Sequence, residues 1–303
     1  MEYWRDLSSW LKETYGRRLY RVPLDAGMTC PVRDGTISRT GCTFCAGGSG
    51  SFAIRYEGQK LSMEDLIYNG QNVPAGDYIG YFQAYTNTYA PAERLRFLFE
   101  HALADPLFAG IDIATRPDCI DAECLQLLQQ LKEAYPHKFI WVELGLQTAS
   151  DETAKTIGRG YPYDVFETCV KRLSKAGICV IVHVILSLPE EGLQDNIATM
   201  HALNALPVQG VKIQMLQILK GSVMAEEYRR DPDAFALLSE KEYAERCAYC
   251  LGHLRRDIVV HRLTGDGDRS LLLAPLWGVA KTQVINDIRH IMKEKQITQG
   301  SLL

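Results

Sequence analysis

Between residues 18 and 216, short apolar runs rich in β-branched side chains alternate with longer amphipathic stretches, and this rhythm constrains the fold most. The runs at 18–25, 77–84, 110–114, 139–145, 180–185 and 211–216 read as strands, and 91–106, 121–135, 163–177 and 191–206 have helical periodicity. Asp121 and Ser62 stand where N-caps belong, and Gly177 stands where a helix stops before a strand. Strand and helix in succession build a parallel sheet, because parallel neighbours need a crossover. Six such units predict an α/β fold, an incomplete (βα)6 TIM-type barrel with its core at about 18–222. Residues 1–17 are expected to add an N-terminal helix and 223–303 a C-terminal extension packing on the barrel. That extension holds a seventh strand-like run at 257–262 and a last helix near 279–294. No repeat, low-complexity tract or Pro/Gly/Ser linker divides the 303 residues, so one domain is expected.

With 47% hydrophobic residues the chain has ample material for a core, yet no apolar window approaches the length of a membrane span. The opening run MEYWRDLSSWLKETYG is charged throughout and lacks the apolar centre of a signal peptide. Nine cysteines without a secretion signal fit the reducing cytoplasm, where thiols serve as ligands or core residues. A net charge of -4 neither demands nor excludes a nucleic-acid partner. Two local concentrations of positive charge stand out, Arg17, Arg18 and Arg21 near the front and the segment from Arg255 onward, where Lys and Arg outnumber Asp and Glu. Such clusters suggest contact with anions, although most are ordinary solvated surface.

In parallel α/β folds, function gathers where strands hand over to loops at their carboxyl ends. The segments there are the loop with Cys30, Cys42 and Cys45, then Gln83 to Thr88, Thr115 to Asp118, Leu146 to Thr148, Ser187 to Pro189, and Lys220-Gly221. All are polar or marked by Gly or Pro. The cysteine trio carries the sharpest chemistry: three thiolates can hold three irons of a cubane cluster and leave the fourth iron open to a ligand. A structural zinc site completed from far along the chain, in an RNA-binding or scaffold protein, is a second reading. Unrelated thiols in a glycine-rich loop are the third.

The runs Cys30-Pro31 with Gly41-Cys42-Thr43-Phe44-Cys45, Ala114-Thr115-Arg116-Pro117-Asp118, and Val142-Glu143-Leu144-Gly145-Leu146-Gln147-Thr148 resemble those of radical S-adenosylmethionine (SAM) enzymes. With Val211-Lys212-Ile213, Lys220-Gly221 and His261-Arg262-Leu263-Thr264-Gly265-Asp266, the chain looks like the branch related to the Elongator catalytic subunit. Within that branch it is similar to a short bacterial group without an acetyltransferase domain, for which 223–303 leaves no room. Most radical SAM enzymes space their cysteines C-x3-C-x2-C; here the first gap holds eleven residues, as in Elongator-like members.

The resemblance implies a [4Fe–4S] cluster on Cys30, Cys42 and Cys45, SAM on the open iron, and a 5′-deoxyadenosyl radical that abstracts hydrogen. Backbone N–H groups of Gly41 and the Gly47-Gly48 region are expected to donate to the sulfurs. For SAM it implies Tyr85, Thr86 and Asn87 near the methionyl amine in place of the usual Gly-Gly-Glu, and Gln147 on the ribose. Arg159 would take the carboxylate, with Arg116 a further candidate, and backbone near Leu188 would meet the adenine. As substrate it implies tRNA, with a wobble-uridine side chain trimmed from carboxymethylaminomethyl to aminomethyl; a small molecule or a protein is the alternative. It implies an electron donor such as flavodoxin or ferredoxin, and no membrane partner.

Glu143 shares strand parity with Gly145 and Gln147 and so faces the barrel interior, and His183 is either a satisfied core histidine or a substrate-facing group. With Lys220 they are the candidate catalytic residues. Lys212, Gln214, Arg262 and Asp266 are candidate substrate contacts, because charges facing a core are rare without a partner or ligand. Cys247 and Cys250 lie one helical turn apart and read as core packing. No second pair of cysteines sits close in sequence, and Cys119 and Cys124 are candidates to approach them in space.

Overall fold

The β-branched runs become strands buried on both faces, as a parallel sheet covered by helices requires. A computed structural model describes residues 2–47, 53–68, 78–83, 85–265 and 270–303. Its strands are β1 (Tyr20–Asp25), β2 (Ile54–Arg55), β3 (Tyr78–Phe82), β4 (Phe108–Thr115), β5 (Phe139–Gln147), β6 (Cys179–Leu186), β7 (Gly210–Met215), β8 (Ile218–Leu219), β9 (Val259–Arg262) and β10 (Leu272–Ala274). The helices are α1 (Leu7–Tyr15), α2 (Met63–Tyr68), α3 (Ala92–Ala104), α4 (Ala122–Ala134), α5 (Asp151–Thr156), α6 (Tyr163–Lys175), α7 (Leu193–Asn204), α8 (Val223–Arg230), α9 (Glu240–Gly252) and α10 (Lys281–Glu294). Asp121 caps α4 by accepting from Cys124 N, and Ser62 Oγ accepts from Asp65 N at 3.3 Å at the start of α2. Gly177, at φ +68°, lets the chain leave α6 for β6.

Eight strands form one parallel sheet in the order β2-β1-β3-β4-β5-β6-β7-β9. The six expected strands make its centre. The run in the C-terminal extension becomes β9, so the extension contributes a strand as well as packing. Since β2 pairs only with Leu24 and Asp25, the first half of β1 is left facing β9 across the open seam of the incomplete barrel. Val22, Ile113, Val142, Leu144, Val182 and Ile213 are fully buried between the sheet and its helices, each stabilising the fold by about 1.5–3 kcal/mol. Cys124, Cys169, Cys247 and Cys250 belong to this same apolar core, so the CxxC of α9 packs as expected.

The inward positions sort into layers. At the amino-terminal end Leu19, Ile79, Trp141 and Ile181 pack against Leu11, with Trp10 and Tyr15 of α1 alongside, so this helix closes the barrel floor. Above them the alternate residues Arg21, Ala114, Gly145, Gln147, His183 and Gln214 are only half-buried. Alternate exposure along strands whose other residues are buried means that the barrel is open to solvent from its carboxyl-end mouth. No helix among the described residues is long and apolar enough to cross a membrane.

Candidate active site at the barrel mouth

The cysteine loop follows β1 and is clipped from two sides. Thr43 N donates to Ile157 O and Met224 N donates to Thr43 O, each at 2.9 Å, which ties the loop to α5 and α8. Gly158, at φ +65°, lies against the loop so closely that a Cβ there would sit 3.4 Å from Gly41 O. Arg33 N and Asp34 N close on Cys30 O at 2.8 and 3.1 Å, and Cys45 N closes on Cys42 O at 2.9 Å. Gly41 departs from expectation: its N–H donates to Val32 O at 2.7 Å, not to a sulfur. Gly48 lies outside the described residues.

The three thiols share one environment. Burial, then the neighbouring Cys45 and Cys30, push the Cys42 thiol up to about 12, against the pull of Arg116 and Arg33. Iron reverses that balance, because a coordinated thiol is deprotonated. Among the described residues no three His, Cys, Asp or Glu side chains converge on a point to hold a single ion. A cubane asks for something else, one thiolate on each of three irons, and this donor set fits it.

Above the trio, the strand ends carry two further signs of a site. Tyr85, Gln147, Ser187 and Glu190 are non-glycine residues at positive φ, after β3, at the end of β5 and after β6. Backbone strain of this kind gathers at ligand sites. Asn87 Oδ1, Gln147 Oε1 and Ser187 Oγ are buried without a hydrogen-bond partner among the described residues. An orphaned buried acceptor costs about 1–3 kcal/mol, so three at one mouth mark where a polar ligand belongs. Asn87 Nδ2 braces Phe82 O and Ala114 O at 3.1 and 2.9 Å, which aims its oxygen. Thr86 is buried with its N–H on Thr29 O at 3.2 Å, and Tyr85 stands over Gly47. Leu188 joins Ile157, Ile185, Leu216 and Met224 in an apolar wall beside Phe44, suited to an adenine face. Ser187 was placed at the mouth from sequence but not as a ligand contact, since its left-handed backbone is not written in a Leu-Ser-Leu-Pro run.

Two expected SAM ligands, Arg159 and Arg116, and one candidate catalytic residue, Lys220, are engaged elsewhere. Arg159 is fully buried and donates to the carbonyls of Leu146 (2.7 Å), Thr148 (2.7 Å) and Tyr161 (3.0 Å), and to Asp151. Arg116 clamps Asp118 at 2.9 and 2.7 Å and donates to Arg159 O at 2.9 Å. Both guanidiniums lie against the Tyr161 ring, 4.9 and 4.7 Å from its centre, so they brace the mouth and bring positive charge near Cys42. Lys220 is exposed past β8 with its amine on Ser270 O at 2.8 Å, away from the barrel interior. Asp266 lies outside the described residues.

Below the mouth, inward side chains of β1, β3, β4, β5, β6, β7 and β9 meet in a polar layer, in which Tyr81, Asp112, Glu143 and Lys212 are buried and the rest half-buried. Glu143 receives Lys212 Nζ at 2.5 and 2.6 Å, His183 Nε2 at 2.7 Å and Tyr81 Oη at 2.8 Å. Arg21 donates to Asp112 Oδ2 at 3.0 Å and to His261 Nδ1 at 3.0 Å, and stands 3.5 Å from Glu143. Arg262 donates to Gln214 Oε1. Lys212 and His183 hold Glu143 well below the carboxylate range despite its burial. Burial and the Glu143 charge push Asp112 up to about 8. Burial lowers His183 to about 4 and Lys212 to about 8, and burial with Arg21 holds His261 neutral. Tyr81 and Asp112 were not singled out from sequence, and Arg21 only as part of the front basic cluster, although the parity that found Glu143 also applies to Gly110, Asp112 and Ala114.

Residues 35–203 match the family described as the radical SAM superfamily, and 208–294 match the radical SAM C-terminal domain. The chain is 39% identical to protein YtqA of Bacillus subtilis (strain 168) over 96% of its own length and 89% of the relative. It is 32% identical to protein YhcC of Escherichia coli (strain K12), covering 97% and 93%. Among solved structures it resembles archaeal Elp3 of Methanocaldococcus infernus with a TM-score of 0.64, at 17% identity over 78% of this chain and 58% of that one. SuiB of Streptococcus suis gives a TM-score of 0.54 at 12% identity, over 86% and 54%. These two likenesses concern the fold. A family match across more than half of the chain, joined to relatives similar over nearly all of it, shows that the chain belongs to the radical SAM superfamily, whose cofactors are a [4Fe–4S] cluster and SAM.

Proposed function

We propose that this radical SAM enzyme acts on tRNA, trimming a wobble-uridine carboxymethylaminomethyl group to aminomethyl. The observation that carries the reading is the charge of the buried layer. Near neutral pH Asp112 keeps its proton and both histidines are neutral, so among the described residues of the layer Arg21 and Lys212 face the single charge of Glu143. A positive floor beneath the mouth selects a substrate group that carries an anion, as the carboxymethyl group does. The resemblance of the motifs to Elongator-type enzymes supports the nucleoside, and the fold shared with archaeal Elp3 is consistent with it.

When bound, the cluster and SAM supply the hydrogen-abstracting radical, with the first electron from a donor such as flavodoxin or ferredoxin. Cys30, Cys42 and Cys45 hold the cluster, while Asn87, Gln147 and Ser187 orient SAM with their unpartnered oxygens. Lys212 binds the substrate carboxylate, and Glu143 fixes that lysine in place. The substrate loses hydrogen from the carbon between amine and carboxylate. Loss of one further electron, for which a cluster held by Cys30, Cys42 and Cys45 would supply the acceptor, and transfer of the amine proton to neutral His183 give an imine. Water cleaves the imine to aminomethyluridine and glyoxylate, which balances the atoms.

The test incubates reconstituted enzyme anaerobically with SAM, reductant and total tRNA, followed by nucleoside digestion. The expected result is 5′-deoxyadenosine with loss of carboxymethylaminomethyluridine, gain of aminomethyluridine and one glyoxylate per conversion. Deoxyadenosine without any change in uridine modification sinks the tRNA reading.

A further inference from the structure

The two basic stretches of the sequence, about 240 residues apart, meet in space. Arg18, Arg262 and Arg289 line one cavity of about 500 Å³ on the outer side of the barrel seam at its amino-terminal end, where it abuts the floor residues Leu11 and Leu19, together with His261. Its walls include apolar side chains of α1, of the segment just past β9 and of α10, namely Leu7, Leu263 and Ile285. The rear wall is fixed, because Val260 N donates to Arg5 O at 2.8 Å and Asp6 bridges to Val260. Asp6 is the one carboxylate of the lining, and it is committed to capping α1, with Oδ1 on Ser9 N at 3.0 Å and Oδ2 on Ser9 Oγ at 2.7 Å. Arg18 and Arg289 are exposed and form no ion pair among the described residues; Arg289 stacks on Trp4 at 5.2 Å.

We infer that this seam cavity is a phosphate site, taking a phosphodiester of the RNA whose modified nucleotide enters the barrel. The inference rests on the proposed tRNA reading. Guanidiniums recognise phosphate through a planar fork, and a cavity of 300–1,000 Å³ accommodates a ligand the size of one nucleotide. Apolar walls under a cationic rim suit a sugar and base whose phosphate lies outermost. Continuity with the interior carries the argument further. His261 lines the cavity and also accepts from Arg21 at 3.0 Å in the buried layer, so one side chain joins the outer site to the floor beneath the mouth. A bound RNA whose target nucleotide enters the interior at the mouth reaches the site where its backbone runs along the open seam toward the floor.

The test measures tRNA binding by the reconstituted protein across a salt series, for the parent, R18A/R289A and R18K/R289K, with circular dichroism to establish that each is folded. Each phosphate contact with single-stranded nucleic acid steepens the log–log salt dependence by about 0.7. Since Arg18 and Arg289 share one phosphodiester, the alanine pair is expected to lower the slope by about 0.7 and to weaken binding about fivefold near 0.1 M salt, and the lysine pair is expected to restore most of both. An unchanged slope in folded R18A/R289A overturns the site while leaving the tRNA reading standing, since the parent still binds and converts tRNA. Uridine 5′-monophosphate provides the second arm. If the parent binds no tRNA but binds the mononucleotide through these arginines, the phosphate site stands as one for free nucleotides and the tRNA reading falls. If the parent binds neither, both fall.

Discussion

Replacing Glu143 with Gln tests the charge assignment on which the interior rests. The Glu143 carboxylate is wholly buried and receives Lys212, His183 and Tyr81 within 2.8 Å. Removing one partner of a buried ion pair costs about 3–5 kcal/mol, because the other charge stays desolvated and unpaired. Part of that cost returns here. Glu143 is one reason that Asp112 is protonated, so E143Q lets Asp112 ionise beside Arg21 and, less directly, offset Lys212. The expected net loss is therefore about 3 kcal/mol, at the lower end of that range. D112N replaces a group that already holds its proton near pH 7, and should cost about 1 kcal/mol or less. D112N/E143Q leaves Arg21 and Lys212 with no anion between them, so its loss should exceed the sum of the single losses by about 1–3 kcal/mol. Urea unfolding followed by circular dichroism measures this cycle. It is best run with Cys30, Cys42 and Cys45 all replaced by Ala, so that cluster loading does not blur two-state behaviour. Equal losses for D112N and E143Q, or additivity within about 0.5 kcal/mol, would refute the assignment of the shared proton to Asp112.

The same layer gives a pH dependence with two signs. Asp112 has its folded pKa raised to about 8, so its contribution is full below the unfolded value and is lost as pH rises through 8. Lys212 has its folded pKa lowered to about 8, so the fold gains stability from there up to the unfolded value, while the charge that binds the substrate carboxylate is lost. The KM for tRNA should therefore climb above about pH 8 in the parent, and in K212M it should start high and stay flat. Q147A and N87A should each weaken equilibrium SAM binding about tenfold, the value of one hydrogen bond, without loss of the brown cluster colour. R159M should lower stability by about 3 kcal/mol by orphaning the Leu146, Thr148 and Tyr161 carbonyls, with SAM affinity falling only in step with that loss. C247A/C250A should keep full iron content, whereas replacing Cys30, Cys42 and Cys45 with Ala should leave a folded, colourless protein.

Much of this fold was legible because its signals are local. A strand buried on both faces must be apolar over its own length, and a cap such as Asp121 reaches only three residues. The mouth was legible for a related reason: each strand hands over to a polar loop, so listing strand ends in order also lists Asn87, Gln147 and the cysteine loop. What was illegible is which neighbour claims a side chain. Gly158-Arg159-Gly160 reads as an exposed anion ligand, yet the chain bends there so that β5 offers Arg159 two carbonyls 11 and 13 residues back. Lys220 follows a strand, but a strand of the small β8–β10 pair outside the barrel, whose partner lies some 50 residues later.

The interior layer shows why pairing differs in kind from placement. Strand parity is a property of one segment, and it puts Glu143 inside without reference to anything else. A barrel layer, however, takes one residue from each strand, so every contact within it joins residues from different segments. Lys212 meets Tyr81 across 131 positions, and Arg21 meets His261 across 240. Charge compounds the difficulty. Whether Asp112 carries its proton depends on Glu143, whose own charge depends on Lys212 and His183, so no member has a protonation state of its own to be read. The sum over the layer is nevertheless robust, because moving one proton between the two carboxyls changes neither the number of cations nor the total negative charge. A positive floor follows from composition of the layer, and only the identity of its protonated acid requires the mutant cycle.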